Sequence, residues 1–269
     1  MTEEDAILYR WEQWRRANTQ YPGARENEIR RIYTLAHPRP GEKIWESGTG
    51  NGCLTLPLIE AVGETGEVVS TDVQPENIKE LQEAVTARGL AVKALLLPVE
   101  QPLLSSEQYE NYFDAVCSIA TLHHFDDRLK RPGESGRIEA LETFYRMLRP
   151  GGRLILSDVL GDTETSRYFD TIDTPERAAP RGHPHDFFTK ERLLGLLQNT
   201  GFKNIRFECT DVPWKFVSEE EARWFVHTLH NATVSEEESF AVAKKMLGFK
   251  EKDGHYELGW GLFFLEATK

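Results

Sequence analysis

The stretch Ile44-Trp45-Glu46-Ser47-Gly48-Thr49-Gly50-Asn51-Gly52 decides the fold of this chain. An apolar run ends in an acidic residue and passes into a turn with glycine at alternate positions, the way a strand hands over to a helix in α/β proteins that bind a nucleoside. Glycine lets the backbone approach a ligand where any Cβ would collide. Further on, Asp72 closes the strand-like run Val68-Val69-Ser70-Thr71, placed to accept hydrogen bonds from a ribose diol.

The register of the glycines narrows the ligand. A dinucleotide fingerprint needs a third small residue at position 53, which is Cys53. A phosphate-binding loop would need a Lys-Ser or Lys-Thr pair after the glycines, and none follows. The pattern is instead acidic-x-G-x-G-x-G.

Outward from this turn the chain alternates between strand and helix. Strands are expected at 43–47, 67–72, 91–97, 113–118 and 153–158, and helices from Cys53 to Val62, from Pro75 to Gly89, and through Ile138, Leu141, Tyr145 and Leu148 on one inner face. This rhythm implies an α/β fold with a Rossmann-like, doubly wound, mostly parallel sheet. Two helical segments, Glu3–Asn18 and Arg25–Ala36, precede it as an N-terminal cap over 1–40, ahead of the α/β domain at 41–269. The polar stretch 161–188 reads as a long loop or lid, and 214–250 as a helical insertion opened by capping boxes at Ser218/Glu221 and Ser235/Glu238. Gly201 is expected to stop a helix over Lys190–Asn199, before a strand at Asn204–Thr210. His255–Thr268 reads as one long last strand.

Composition bounds the function. With 269 residues and 39% hydrophobic content the chain can bury a sizeable core. No apolar run approaches the roughly 18 residues that span a bilayer, so a soluble, cytoplasmic protein without a membrane partner is expected. Net charge is −12 with the basic residues dispersed, which argues against nucleic acid and for a small-molecule substrate. Cys53, Cys117 and Cys209 lack the spacing of a zinc site or a disulfide framework and are expected as small core residues.

Several motifs in order resemble the class I S-adenosylmethionine-dependent methyltransferases: the Glu46–Gly52 turn, Asp72-Val73, Phe113-Asp114-Ala115-Val116 with Ser118-Ile119-Ala120, and Leu148-Arg149-Pro150-Gly151-Gly152-Arg153. The resemblance implies S-adenosyl-L-methionine as cofactor and strand order 3-2-1-4-5-7-6 with an antiparallel seventh strand. It also implies cofactor contacts from Glu46, Gly48, Thr49, Gly50, Gly52 and Ser118, with Asp72 on the ribose hydroxyls and Val73 against adenine. Glu46 stands where the family more often has Asp, at the position serving the cofactor's amino end. Where the family often has Asp for the adenine amino group, this chain has Val99-Glu100, so Glu100 or the Val99 backbone takes that place. The Asn/Asp-Pro-Pro-Tyr/Phe motif of amino-group methyltransferases acting on adenine or glutamine is replaced by Ser118-Ile119-Ala120-Thr121-Leu122-His123-His124-Phe125. Those substrates are disfavoured.

Methyl transfer from a sulfonium needs alignment and, for a protonated nucleophile, a base. His124 is the leading candidate, followed by His185 and then His123. The alternative is that the His123-His124 pair caps a helix or bonds backbone. His183-Pro184-His185-Asp186 reads as a turn more readily than as a metal site, and no metal is assigned. Tyr21, His183, Trp214 and Phe216 are candidates for a substrate wall suited to an aromatic or apolar molecule, although such aromatics also serve as core. Three functions compete: methyl transfer to an oxygen, nitrogen or carbon nucleophile of a small molecule; a cyclisation or rearrangement that keeps the bound sulfonium intact; and a non-catalytic binding protein. The intact turn and Asp72 disfavour the last.

Overall fold

In the computed structural model, which describes residues 3–98, 101, 103–125, 134–179 and 185–269, the chain divides into two compact units. The larger takes Arg31–Asp158, Phe188–Glu208 and Phe263–Lys269; the smaller takes Met1–Arg30, Val159–Phe187 and Cys209–Leu262.

In the larger unit the expected alternation is realised as β1 (Lys43–Ser47), α3 (Thr55–Val62), β2 (Glu67–Asp72), α4 (Pro75–Ala87), β3 (Lys93–Leu96), β4 (Phe113–Ile119), α5 (Ser135–Met147) and β5 (Leu148–Asp158), then α7 (Lys190–Thr200), β6 (Lys203–Asp211) and β10 (Gly261–Thr268). The strands form one seven-stranded sheet in the order β3-β2-β1-β4-β5-β10-β6. β10 runs antiparallel to β5, whereas β1 is parallel to both neighbours. Counting β10 as the seventh strand of this sheet, the order is 3-2-1-4-5-7-6. The fold is therefore Rossmann-like α/β. Central strands read as unbroken apolar runs because both faces are covered: Trp45, Ala115, Val116 and Leu154 are all fully buried. Pro75 opens α4, and Gly201 stops α7 in the left-handed conformation at φ 109°.

The smaller unit contains α1 (Glu3–Gln20), α6 (Glu164–Ile172), β7 (Trp214–Phe216), α8 (Glu219–Leu229), α9 (Glu236–Leu247), β8 (Phe249–Lys252) and β9 (His255–Leu258), while the unit boundaries fall within α2 (Glu26–Ala36), near the end of β6 and near the start of β10. Its strands form an antiparallel sheet in the order β7-β9-β8. Ser218 and Ser235 cap α8 and α9 as expected, each accepting from the backbone N–H three residues on.

Four expectations are corrected. The stretch after β5 contains α6, capped by a Thr163/Ser166 box, whose buried Thr165, Tyr168 and Ile172 recur at helical spacing beneath a polar exterior. The last strand is two strands in two different sheets, broken at Gly259-Trp260, where a Cβ at 259 would lie 2.1 Å from the Leu247 carbonyl oxygen. The inner face of α5 is Arg137, Ala140, Leu141, Phe144 and Met147, rotated from the face containing Ile138 and Tyr145. Only Cys117 is a core cysteine; Cys53 and Cys209 are exposed.

Candidate active site

β1 delivers the chain into a turn in which Gly48, Gly50 and Gly52 all have positive φ, 79°, 52° and 77°. A Cβ on Gly48 would meet Thr121 Oγ1 at 2.3 Å, and one on Gly52 would meet Leu81 Cδ1 at 2.8 Å. Glycine is thus required by both conformation and space. The Gly48 and Thr49 amides donate to the Thr71 carbonyl at 2.9 and 3.0 Å, pinning the turn to the end of β2.

Two carboxylates flank this turn in different ways. Asp72 accepts from the Gly50 amide and the Gln74 amide, both at 2.9 Å, one on each oxygen. The carboxyl group is oriented yet half-buried rather than sealed. An oriented, half-buried carboxylate beside the glycine turn fits a ribose diol. Glu46, expected at the cofactor's amino end, is 1% exposed, and its carboxylate is taken up by the hydroxyls of Thr49, Thr55 and Ser70. It braces the turn from within. Burial pushes its carboxyl up to about 7 despite those hydroxyls, with the Asp72 charge adding to the rise.

The remaining cofactor candidates divide similarly. Thr49 is buried, its hydroxyl 2.5 Å from that of Thr55. Ser118 is buried and donates to the Ser47 carbonyl at 3.1 Å, tying β4 to β1. Val73 follows Asp72 and is 7% exposed. Val99 and Glu100 lie outside the described residues.

At the exit of β4, Ala120 adopts φ 50°, an unusual conformation for a residue with a Cβ, and its amide donates to the Ser157 carbonyl at 2.8 Å. The short helical turn Leu122–His124 follows. Here the structure separates the two histidines. His123 Nδ1 lies 2.8 and 3.0 Å from the two Asp158 carboxylate oxygens, and the His123 amide donates to Asp158 at 3.1 Å. Asp158 ends β5 and is 3% exposed. The carboxylate therefore holds both backbone and ring of His123 and puts the ring proton on Nδ1, leaving Nε2 as the basic nitrogen. His124 packs on the His123 ring at a centroid distance of 3.9 Å. Cys117 is sealed in β4, its thiol pushed up to about 12 by burial, which removes it as a nucleophile.

The other candidates belong to the smaller unit. His185 Nε2 lies 3.0 Å from Asp173, whose other oxygen lies 2.8 Å from His230 Nδ1. Burial alone would raise the Asp173 carboxyl, but the His230 charge and the hydrogen bonds from both imidazoles outweigh it and hold the carboxyl well below the ordinary range. Trp214 and Phe216 are each 2% exposed and pack on Phe225, so they are core residues of this unit. Tyr21 keeps partial exposure beside Trp224, at 5.5 Å between ring centroids. His183 lies outside the described residues. Asp173 and His230 escape sequence reasoning because they are 57 residues apart and neither carries a local motif. Among the described residues no group of three or more His, Cys, Asp or Glu is arranged to hold a metal ion, and no helix is long and apolar enough to cross a membrane.

Residues 20–206 match the family model described as a methyltransferase domain, about 70% of the chain. The chain belongs to this family and is a class I S-adenosylmethionine-dependent methyltransferase. It is 24% identical over 196 residues to the ubiquinone/menaquinone biosynthesis C-methyltransferase UbiE of Vibrio parahaemolyticus, a match covering 63% of this chain and 67% of UbiE. It is 25% identical over 191 residues to the hybrid PKS-NRPS synthetase lepA of Aspergillus flavus; that match covers 68% of this chain and only 4% of the synthetase. A methyltransferase-type structure from Bacillus halodurans shares the fold with a TM-score of 0.62 at 18% identity, covering 90% of this chain and 98% of the other.

Proposed function

We propose that this enzyme transfers a methyl group to a small-molecule acceptor, with His123 rather than His124 as the general base. The observation that carries the assignment of the base is the His123–Asp158 pair. An acceptor X–H would pass its proton to His123 Nε2 as the X–methyl bond forms and the methyl–sulfur bond breaks, the sulfonium leaving as a neutral thioether, and the Asp158 charge would stabilise the resulting imidazolium. S-adenosylmethionine, when bound, supplies the activated methyl group. In this reading Asp72 takes the ribose hydroxyls, the backbone of Gly48, Gly50 and Gly52 lets the cofactor approach, and Val73 packs against adenine, with Val99 or Glu100 serving the adenine amino group. Glu46, Thr49 and Ser118 support the turn from inside.

Small-molecule chemistry is supported by the relatives' roles and by the dispersed basic residues of a chain with net charge −12. Of the substrate-wall candidates Tyr21 retains exposed surface; Trp214 and Phe216 act by packing.

A labelled-methyl assay over a panel of aromatic and apolar small molecules tests this reading. His123→Ala should lower turnover by about 10²-fold or more while calorimetry shows unchanged S-adenosylmethionine affinity. His124→Ala should lower it by less than about tenfold, as expected of a packing residue. Equal losses would remove the distinction between the two rings. Consumption of an acceptor while the label stays on the cofactor would replace methyl transfer with a cyclisation or rearrangement.

A further inference from the structure

The two edges of the seven-stranded sheet are unlike. β3 ends one side with four residues, whereas β6 ends the other with nine, Lys203–Asp211, none of them buried. A sheet edge offers a row of backbone N–H and C=O groups to any strand of matching pattern, and proteins commonly blunt long edges with proline, bulges or very short strands. β6 contains neither proline nor glycine. It carries charge instead, arranged symmetrically about its central residue, Phe207.

Antiparallel pairing of β6 with the same strand of a second copy, centred on Phe207, would set Lys203 opposite Asp211, Asn204 opposite Thr210, Ile205 opposite Cys209, Arg206 opposite Glu208 and Phe207 opposite itself. Side chains alternate between the faces of a strand, so the members of each pair share a face. One face presents Ile205, Phe207 and Cys209 between Lys203 and Asp211; the other presents Asn204, Arg206, Glu208 and Thr210. Two kinds of opposite-charge pair result, each occurring twice. Shifting the centre destroys this match. Centring on Arg206 sets two arginines together, and centring on Glu208 sets two glutamates together and Ile205 against Asp211. Charge thus selects one register.

Contacts within the chain extend the same pattern. Arg206 pairs with Glu266 of β10, and Glu208 with Arg31 of α2. Across the paired edges the row would run Glu266, Arg206, then Glu208 and Arg31 of the second copy, alternating in sign throughout. We propose that β6 pairs antiparallel with β6 of a second copy of this chain, giving a two-fold dimer whose sheet is continuous through both copies. The same patch serves on both sides, so the assembly closes at two copies and does not grow into a filament.

Sedimentation velocity of the full chain, from micromolar to hundreds of micromolar, should show a reversible monomer–dimer equilibrium. Lys203→Asp and Asp211→Lys each replace two attractive pairs by two repulsive ones and should weaken dimerisation by about tenfold or more. Combining the two exchanges restores opposite charges and should return the dissociation constant to within about threefold of wild type. Phe207→Cys on a Cys209→Ser background reads the register. The introduced thiols would face each other across the two-fold axis with Cα atoms about 4.5–5.5 Å apart, within reach of a disulfide. Oxidation should then give covalent dimer well above that of Cys209→Ser alone. A monomer throughout the concentration range, a dimer indifferent to the single exchanges, a double exchange no tighter than the singles, assemblies beyond two copies, or no excess of covalent dimer would each overturn the proposal.

Discussion

Glu46, in the turn after β1, and Asp173, just past α6, are carboxylates withdrawn from water to a similar degree, 1% and 7% exposed, but with different partners. Around Glu46 the donors are neutral hydroxyls, which offset only part of the desolvation, and the Asp72 charge opposes ionisation further. Around Asp173 two imidazoles supply both hydrogen bonds and charge, so ionisation prevails against burial. Burial alone therefore does not set the state of a carboxylate; whether its partners can carry charge decides. The first arrangement keeps a turn rigid, and the second anchors two rings.

The most severe way to break this contrast is to remove the anchor. Asp173→Ala strips two buried imidazoles of their shared partner and should cost about 3 kcal/mol or more of unfolding free energy in urea. Its pH dependence carries a definite sign. The folded carboxyl lies below its unfolded value, so its contribution is present above the ordinary carboxylate range and is lost as pH falls through the folded value. Wild type should accordingly lose stability on acidification more steeply than Asp173→Ala; parallel acid limbs would show that the imidazoles do not stabilise the charge.

Asp72→Ala leaves Glu46 buried but removes the carboxylate offered to the ribose. Cofactor affinity measured by calorimetry should fall by about 2–4 kcal/mol, the worth of two charge-assisted hydrogen bonds. Unchanged affinity would mean that the diol is bound elsewhere.

The smallest effect is expected from Glu46→Gln, which mimics the protonated acid. The folded carboxyl titrates near 7 against an ordinary value of 4.5, so its contribution to stability is complete below 4.5 and lost as pH rises through 7. The variant should match wild type near pH 4 and exceed it at pH 8.5, by at most about 3 kcal/mol. A variant less stable than wild type at pH 8.5 would show that the hydroxyl cage favours the anion.

Legibility in the sequence followed the range of the interactions. The glycine turn, β1 through β5, the stop at Gly201 and the serine caps are local or periodic features, and each was readable within a short window. Helix α6 was readable in principle: Thr165, Tyr168 and Ile172 recur at helical spacing, but the polar and proline-bearing residues after them made the whole stretch look like a loop. The split between β9 and β10 was not readable. It depends on the backbone approach of Gly259 to Leu247, and nothing in the run His255–Thr268 announces that contact.

By itself the sequence determined the α/β alternation and the nucleoside-type turn. These arise from backbone conformation and apolar periodicity, properties that neighbouring residues impose on one another. Only the tertiary structure decided which histidine meets which carboxylate. His123 finds Asp158 across 35 residues and Asp173 finds His230 across 57, by way of strand exits and helix ends. The ranking of His123 over His124 and the inward turn of Glu46 likewise depend on groups brought together by packing, because a side chain's protonation and orientation respond to whatever the fold places within a few ångströms.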